Sequence, residues 1–213
     1  MMTNKSFSYP KIGLLLLCFL SFSVILATIF YNYDKSLVIH FNQLRNPFWD
    51  LFFLNITNSA GFIAYGTSII LLLLSFLIKE RAVKYKFYKI ALAGVFSGLA
   101  VTLLKNGIQR VRPFQLYPAI HSLGPGGGWS YPSGHTSDAF FLAAIIWLVY
   151  PNRRLLIVAV YLWATLVGIS RVYLGVHYPS DVLAAVAVGS VSSLAAFVVL
   201  DWFIKRSSTG QFG

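Results

Sequence analysis

Long apolar runs constrain the fold of this chain more than any other feature of its sequence. A helix needs ~20 residues to cross the hydrocarbon core of a bilayer. Six runs of roughly that length are present: Ile12–Phe30, Ser59–Ile78, Tyr88–Gly107, Thr136–Tyr150, Leu155–Val172 and Val182–Ile204. The fourth is short and reaches spanning length only if it begins near Ser133. Because lipid offers no partners to backbone N–H and C=O groups, spanning segments fold as helices. The pattern therefore predicts an all-α integral membrane protein with six transmembrane helices in one bundle.

The composition supports a membrane protein of one domain. Hydrophobic residues make up 57% of the 213 residues and charged residues only 11%, whereas soluble domains carry about a quarter charged residues. We expect residues 1–206 to form a single membrane domain and residues 207–213 a disordered polar tail. The first run is too long for the core of a signal peptide and lacks a cleavage site, so we expect an uncleaved helix. The single cysteine, Cys18, can form no internal disulfide.

Basic residues are distributed unequally between the two sides of the six-span arrangement. With the N-terminus in the cytoplasm, eleven of the 17 lysines and arginines fall in cytoplasmic segments and six on the opposite side. Cytoplasmic loops of membrane proteins carry an excess of such residues. Both termini are therefore predicted to be cytoplasmic. The net charge of +11 does not indicate a nucleic-acid partner, because the basic residues are scattered between apolar runs.

Two connecting segments each leave an alternative open. Tyr31–Asp50 places Leu37, Phe41, Leu44 and Phe48 at helical spacing. It is either an amphipathic helix in the outer interface, ended early by Pro47, or an ordinary connecting loop. Phe114–Tyr131 contains four glycines, which give its backbone conformational freedom. It is either a mobile flap or a slack linker.

Three short polar strings interrupt the apolar sequence. Lys105–Pro113 reads K-x6-R-P, Pro132–His135 reads P-S-G-H, and Ser170–Asp181 reads S-R-x5-H-x3-D. The six-span arrangement brings all three to the same, extracytoplasmic, face. They combine three fixed cations, two histidines and one carboxylate, which are the groups needed to hold a phosphate and break a P–O bond. The planar fork of arginine suits phosphate oxygens in particular.

The local sequence around these groups suggests how they are arranged. Ser133 is a good helix N-cap, and Gly134 allows a close backbone approach, so the next helix would aim free N–H groups at a phosphate. His177 and Asp181 are four residues apart, a spacing that lets the carboxylate hold one ring nitrogen and leaves the other as a directed nucleophile. Arg110 is expected to be an interfacial anchor rather than a ligand. Asp138 either tunes His135, which shares its helix face, or bonds to other polar neighbours.

The eleven motif positions in these strings resemble the signature of the type 2 phosphatidic acid phosphatase superfamily, which includes membrane lipid phosphatases and soluble vanadium haloperoxidases. The resemblance implies that His177 forms a phosphohistidine, that Asp181 orients it and that His135 acts as the general acid. The residues expected to bind the phosphate are Lys105, Arg112, Ser133, Gly134 and Arg171. No metal and no cofactor is expected, because the three cations neutralise the phosphate and only six acidic residues are present.

The resemblance leaves the substrate open. The expected partner is a phospholipid or a polyprenyl phosphate of the undecaprenyl diphosphate, phosphatidylglycerophosphate or phosphatidic acid class, within the bacterial cytoplasmic membrane. A lipid A phosphatase or a lipid-to-lipid phosphotransferase with the same site is the alternative. Six spans disfavour a soluble haloperoxidase. A transporter is disfavoured because the charges lie at span ends rather than at the midplane.

Overall fold

The described part of the chain is built from helices. The computed structural model describes residues 22, 25, 26, 28–124 and 126–208, and these residues contain no β-strand. The helices are α1 Asp34–Gln43, α2 Pro47–Ser75, α3 Arg81–Ile108, α4 Pro113–Leu116, α5 Gly134–Val149, α6 Arg154–Tyr173 and α7 Pro179–Ser208. The predicted all-α fold class is confirmed for these residues.

Four of the described helices are long and apolar enough to cross a membrane, namely α2, α3, α6 and α7. Helix α5 is shorter, with 16 residues, as the sequence predicted for the fourth run. Large apolar side chains such as Phe62 and Leu155 are 84% and 85% exposed, which suits a surface in contact with lipid. The predicted first span, Ile12–Phe30, falls largely outside the described residues, although residues 28–31 are helical. Residues 207 and 208 extend α7, and the rest of the predicted tail lies outside the described part.

Helix α5 occupies the centre of the bundle and packs against α2, α3, α6 and α7. Its buried Phe141 and Ile145 form a core cluster together with Ala64 of α2. The closest approach is that of α7 at Gly189, where an added Cβ would lie 2.5 Å from the carbonyl oxygen of Ser137. Close contact through small residues is typical of helices packed within a membrane, and here it fixes α7 against α5.

The segment before α2 is helical, but its bounds differ from the prediction. Helix α1 ends at Gln43, and Pro47 is the first residue of α2 rather than the residue that ends α1. The side chain of Asn46 caps α2 by accepting a hydrogen bond from the Trp49 N–H at 3.1 Å. Helix α2 therefore begins twelve residues before the predicted Ser59. Phe48 belongs to α2 and cannot share an apolar stripe with α1.

The three polar strings lie at one end of the bundle. This end is formed by the last turn of α3, the first turn of α5, the last turn of α6 and the first turn of α7. Helix α3 ends at Ile108, and the capping residue Gln109 adopts a left-handed conformation with φ of 51°. Pro113 begins the short α4, with Arg112 at the position before it. The predicted co-location of the three strings is confirmed.

Candidate active site

His177 lies in the turn between α6 and α7 and is buried, with 1% of its surface exposed. The turn depends on Gly175, whose φ of +71° is strained for any other residue. The His177 Nε2 atom is 3.2 Å from Arg112 Nη1, and Nδ1 is 3.4 Å from Asp181 Oδ2. Because guanidinium nitrogens only donate, Nε2 carries the lone pair and Nδ1 carries the proton. Burial lowers the pKa of His177 well below its usual value, although Asp181 opposes this effect, so the ring is neutral.

Asp181, in the first turn of α7, is completely buried and is held through both carboxylate oxygens. Its Oδ2 atom accepts hydrogen bonds from Ser130 Oγ at 2.5 Å and from the Tyr178 N–H at 3.0 Å, besides facing His177. Its Oδ1 atom accepts from Arg110 Nη1 at 2.7 Å. The carboxylate is therefore fixed in one orientation, with one oxygen directed at the histidine. Sequence reasoning missed Ser130, because a single serine in a loop carries no distinguishing pattern.

Arg112 is 4% exposed and bonds mainly to the backbone. Its Nε donates to the carbonyl of Gly128 at 2.9 Å, its Nη2 to that of Gly127 at 2.7 Å, and its Nη1 to that of Val176 at 2.9 Å. The guanidinium thus ties residues 127 and 128 and the turn bearing His177 to the start of α4.

Lys105 makes a second tie to the same glycine-rich segment. Its Nζ donates to the carbonyl of Trp129 at 2.5 Å. Residues 127–129 are therefore held by Lys105 and Arg112, which contradicts the slack-linker interpretation of Phe114–Tyr131 for these residues and gives no support to a mobile flap there. A bound phosphate would compete with these carbonyls for the N–H groups of Lys105 and Arg112.

The third predicted cation, Arg171, comes from the last turn of α6 and is 1% exposed. Its Nη1 atom donates to Thr57 Oγ1 of α2 at 2.6 Å, a contact across two helices. His135, the second residue of α5, is half-buried and lies within electrostatic range of Arg171, Arg112 and Lys105. The structure thus brings the three cations and both histidines into one cluster.

The first turn of α5 differs in one respect from its prediction. Ser133 occupies the N-cap position, but its side chain makes no capping bond and instead bonds to Thr136 Oγ1 at 2.9 Å. The predicted side-chain cap is therefore wrong, whereas the predicted start of the helix at Gly134 is confirmed. The Ser133 N–H donates to the carbonyl of Asp181 at 3.2 Å, which joins the starts of α5 and α7.

Two charged residues beside the motifs have specific partners. Arg110 was expected to be an interfacial anchor, and this is wrong: it bridges Asp181 and Asp34, at 2.7 Å and 2.6 Å. Asp138 accepts a hydrogen bond from the Tyr65 hydroxyl at 2.9 Å, so of its two alternatives the structure shows a bond to a polar neighbour. Among the residues that the structure describes, no group of three or more His, Cys, Asp or Glu side chains could hold a metal ion.

Comparison with known families identifies this arrangement. Residues 85–205, more than half of the chain, match the PAP2 superfamily. The chain belongs to the PAP2 superfamily. The matched region contains all eleven motif positions, so the resemblance inferred from the three strings is confirmed. Membership also confirms the predicted enzyme class, a hydrolase acting on phosphate esters.

Two curated relatives and one solved structure illustrate the likeness. A lipid A 4'-phosphatase of Bacteroides thetaiotaomicron is 31% identical over 163 residues, which cover 73% of this chain and 72% of the relative. A phosphatidylglycerophosphatase B of Bacillus subtilis is 36% identical over 95 residues, covering 41% of this chain and 44% of that protein. The crystal structure of a transmembrane PAP2 type phosphatidylglycerolphosphate phosphatase from Bacillus subtilis superposes with a TM-score of 0.69 at 24% identity, covering 90% of this chain and 96% of that one. The shared fold is that of a membrane PAP2 protein.

Proposed function

We propose that this protein is a membrane lipid phosphatase that hydrolyses a lipid phosphate at the extracytoplasmic face through a phosphohistidine. The observation that carries the proposal is the arrangement of His177, whose Nδ1 faces a fixed carboxylate and whose unprotonated Nε2 lies 3.2 Å from the Arg112 guanidinium. A neutral imidazole beside a cation is suited to attack a phosphorus atom whose oxygens that cation binds.

The proposed reaction has two steps. In the first, His177 Nε2 forms a bond to phosphorus while the P–O bond to the lipid breaks, and His135 gives a proton to the leaving oxygen. Lys105, Arg112 and Arg171 neutralise the phosphoryl oxygens, and the backbone N–H of Gly134 contributes at the helix start. The N–H of Ser133 is already bonded to the Asp181 carbonyl. In the second step, water attacks the phosphohistidine, His135 takes a proton from that water, and phosphate leaves. Asp181 holds the Nδ1 proton throughout.

An apolar groove beside the cluster supports a lipid as the substrate. A groove of about 630 Å³ runs between α3 and α7, lined by small apolar residues including Ala100, Ala184, Ala187 and Val188, with Arg110 and Tyr131 among its polar lining. A single lipid chain along this groove would place its headgroup near the motif residues. The substrate classes we propose are undecaprenyl diphosphate, phosphatidylglycerophosphate and phosphatidic acid. The similarity to a lipid A 4'-phosphatase favours lipid A as the second candidate.

We further propose that the protein lies in the inner membrane of a bacterium and crosses it six times. Both termini would then be in the cytoplasm. The end of the bundle opposite the motifs carries a concentration of basic residues, at Arg81, Lys84, Arg153, Arg154 and Lys205. The positive-inside rule puts such an end in the cytoplasm. The motif end would then face the exterior.

The purified protein is expected to release phosphate from at least one lipid phosphate in detergent, and to do so in excess EDTA. Fixed cations perform the neutralisation that a metal ion supplies in other phosphatases. The measurement is free phosphate released from phosphatidic acid, phosphatidylglycerophosphate, undecaprenyl diphosphate and lipid A. Release that depends on added magnesium would contradict the metal-independent mechanism. Phosphate that appears on an added acceptor lipid, without free phosphate, would indicate a phosphotransferase.

Cysteine labelling in intact cells is expected to reach the motif end and not the opposite end. In a Cys18→Ser background, Gly127→Cys suits this test, because Gly127 is exposed and no heavy atom lies within 4 Å of an added Cβ. Arg81→Cys, at the exposed start of α3, is the matched position at the other end. An impermeant maleimide should modify the first variant at once and the second only after the membrane is permeabilised. The reverse pattern would place the site in the cytoplasm.

A further inference from the structure

Arg110 connects the proposed catalytic pair to helix α1. We infer that Arg110, held by Asp34, is a positioning residue that fixes the Asp181 carboxylate and through it the His177 ring. This inference rests on the proposed function, since it assigns a part in the same reaction. Arg110 is not one of the eleven motif positions, and Asp34 lies 76 residues before it in the sequence.

The guanidinium of Arg110 serves two buried carboxylates at once. Nη1 lies 2.7 Å from Asp181 Oδ1 and Nη2 lies 2.6 Å from Asp34 Oδ2, while the side chains of the two aspartates are 0% and 4% exposed. A buried carboxylate is costly unless it is paired and hydrogen-bonded. The planar fork of arginine satisfies both with separate nitrogens, which a lysine ammonium cannot do with the same geometry.

Aromatic rings limit the orientation of the Arg110 fork. Its central carbon lies 3.9 Å from the centroid of the Tyr178 ring and 5.3 Å from that of Tyr31. Stacking of a guanidinium on aromatic faces adds attraction and restricts its tilt. Tyr178 is also the residue whose N–H bonds to Asp181 Oδ2, so one tyrosine contacts both sides of the same ion pair.

Asp34 is itself anchored to the first turn of α7. Its Oδ1 atom accepts from the Ser180 N–H at 2.9 Å, its Oδ2 atom accepts from the Ser180 hydroxyl, and that hydroxyl also accepts from Arg110 Nη1 at 2.7 Å. Helix α1 is therefore joined to the residue that immediately precedes Asp181. A shift of α1 would be transmitted to the carboxylate through Arg110.

The ion pair with Arg110 determines which oxygen of Asp181 is available to His177. With Oδ1 bound to Arg110, only Oδ2 remains to face His177 Nδ1. Without Arg110, the buried Oδ1 atom would have no cationic partner. The Asp181 carboxylate would then rotate until Oδ1 finds another hydrogen-bond donor. The bond to Nδ1 would weaken, and the attack by Nε2 would be less well directed. Arg110 also belongs to the polar lining of the proposed lipid groove. Because the proposed phosphate ligands are Lys105, Arg112 and Arg171, and the rest of the groove is unchanged, the loss should fall mainly on kcat, with a much smaller change in KM.

Steady-state kinetics on a lipid phosphate in detergent test this assignment. Arg110→Gln is expected to lower kcat about a hundredfold, the scale of a misplaced reacting group, with KM within about twofold of the wild type. Arg110→Lys should recover part of the loss, and Asp34→Asn should reduce kcat by less than Arg110→Gln does. The matched control is Arg45→Gln, which breaks another arginine–aspartate pair, Arg45–Asp50, and should stay within about fivefold of the wild type. A raised KM with unchanged kcat would overturn the inference and make Arg110 a substrate contact.

A measurement without turnover separates this inference from the proposed function. The ¹⁵N spectrum of labelled histidine reports which nitrogen of His177 carries the proton, and His177→Asn identifies its signals. The wild type should show a neutral ring protonated at Nδ1, and Arg110→Gln should shift these signals toward a mixture of tautomers. Identical spectra in the two proteins would overturn the inference. A wild type that hydrolyses no lipid phosphate would overturn the proposed function alone, and the spectra would still decide the role of Arg110.

Discussion

Replacing His177 with alanine is expected to abolish phosphate release, lowering kcat by roughly 10⁴-fold or more, as removal of a nucleophile does in other covalent mechanisms. The position of the His177 ring is set by the turn between α6 and α7 and by contacts with Asp181 and Arg112. No second nucleophile can take its place, because His135 comes from a different helix and has the leaving group to protonate. The loss should therefore be in kcat and should be the same for every lipid phosphate.

The measurement needs a proof of folding, since His177 is buried. His177→Asn is the second variant, because it retains a polar side chain in the cavity, and thermal unfolding in detergent should show both variants folded. The exposed His40 of α1 provides the matched control, and His40→Ala should retain wild-type kcat. Rapid quenching with ³²P-labelled substrate should trap an acid-labile phosphoryl group on the wild type and none on either His177 variant. Normal turnover in both would end the phosphohistidine assignment.

The sequence was sufficient to predict where the site lies. Helices that cross a bilayer alternate in direction, so the order of apolar runs decides which connections share a face. Lys105 closes one run, His135 opens the next, and Arg171 and Asp181 flank a later turn. Their convergence at one end of the bundle follows from that alternation, and the observed helices agree. The order of the apolar runs therefore predicted that the three polar strings meet at one end, while the spacing of His177 and Asp181 indicated their contact.

The helix boundaries were less predictable, because the hydropathy of a segment contains no information about the residue that caps its helix. Helix α2 begins at Pro47, where Asn46 supplies a hydrogen bond to the first turn. Asp50 and Asn55 make the first turns less apolar, and the predicted run consequently began only at Ser59. The polar side chains of this region are accommodated by tertiary contacts, such as the bond from the Tyr173 hydroxyl to Asp50 at 2.9 Å.

The supporting residues of the site were not predictable from one sequence. Asp34 and Ser130 are common polar residues in connecting segments, and nothing in their local pattern distinguishes them from solvated ones. Their contacts with Arg110 and Asp181 join parts of the chain that are 76 and 51 residues apart. Arg110 itself resembles an interfacial anchor until the carboxylate of Asp34 is placed beside it. Such partners depend on how the helices pack, and that packing depends on close approaches such as that of Gly189 to the backbone of Ser137.

Replacing His135 with alanine is expected to slow phosphate release, and the loss should be larger for substrates whose leaving alcohol has a higher pKa. A general acid contributes roughly 10²- to 10⁴-fold, and that help is needed most when the leaving oxygen has a high pKa. A lipid monophosphate with an alkyl leaving group should lose activity over that range, whereas p-nitrophenyl phosphate, whose phenolate leaves readily, should lose much less in the first step. His135 lies half-buried at the start of α5, within electrostatic range of Arg171, Arg112 and Lys105. These cations disfavour the protonated ring, so the negative charge of the bound lipid phosphate is needed to favour the acid form of His135.

The comparison of the two substrates distinguishes a general acid from a residue that only supports the fold. The measurement is kcat/KM, which reports the first step, for wild type and His135→Ala on both substrates. The matched control is His121→Ala, because His121 is exposed in the loop before the glycines. A burst of p-nitrophenol from the variant, followed by slow turnover, is also expected, since the same histidine would activate the water in the second step. An equal loss on both substrates, without a burst, would mean that His135 supports the structure of the cluster, and another group would then have to protonate the leaving lipid.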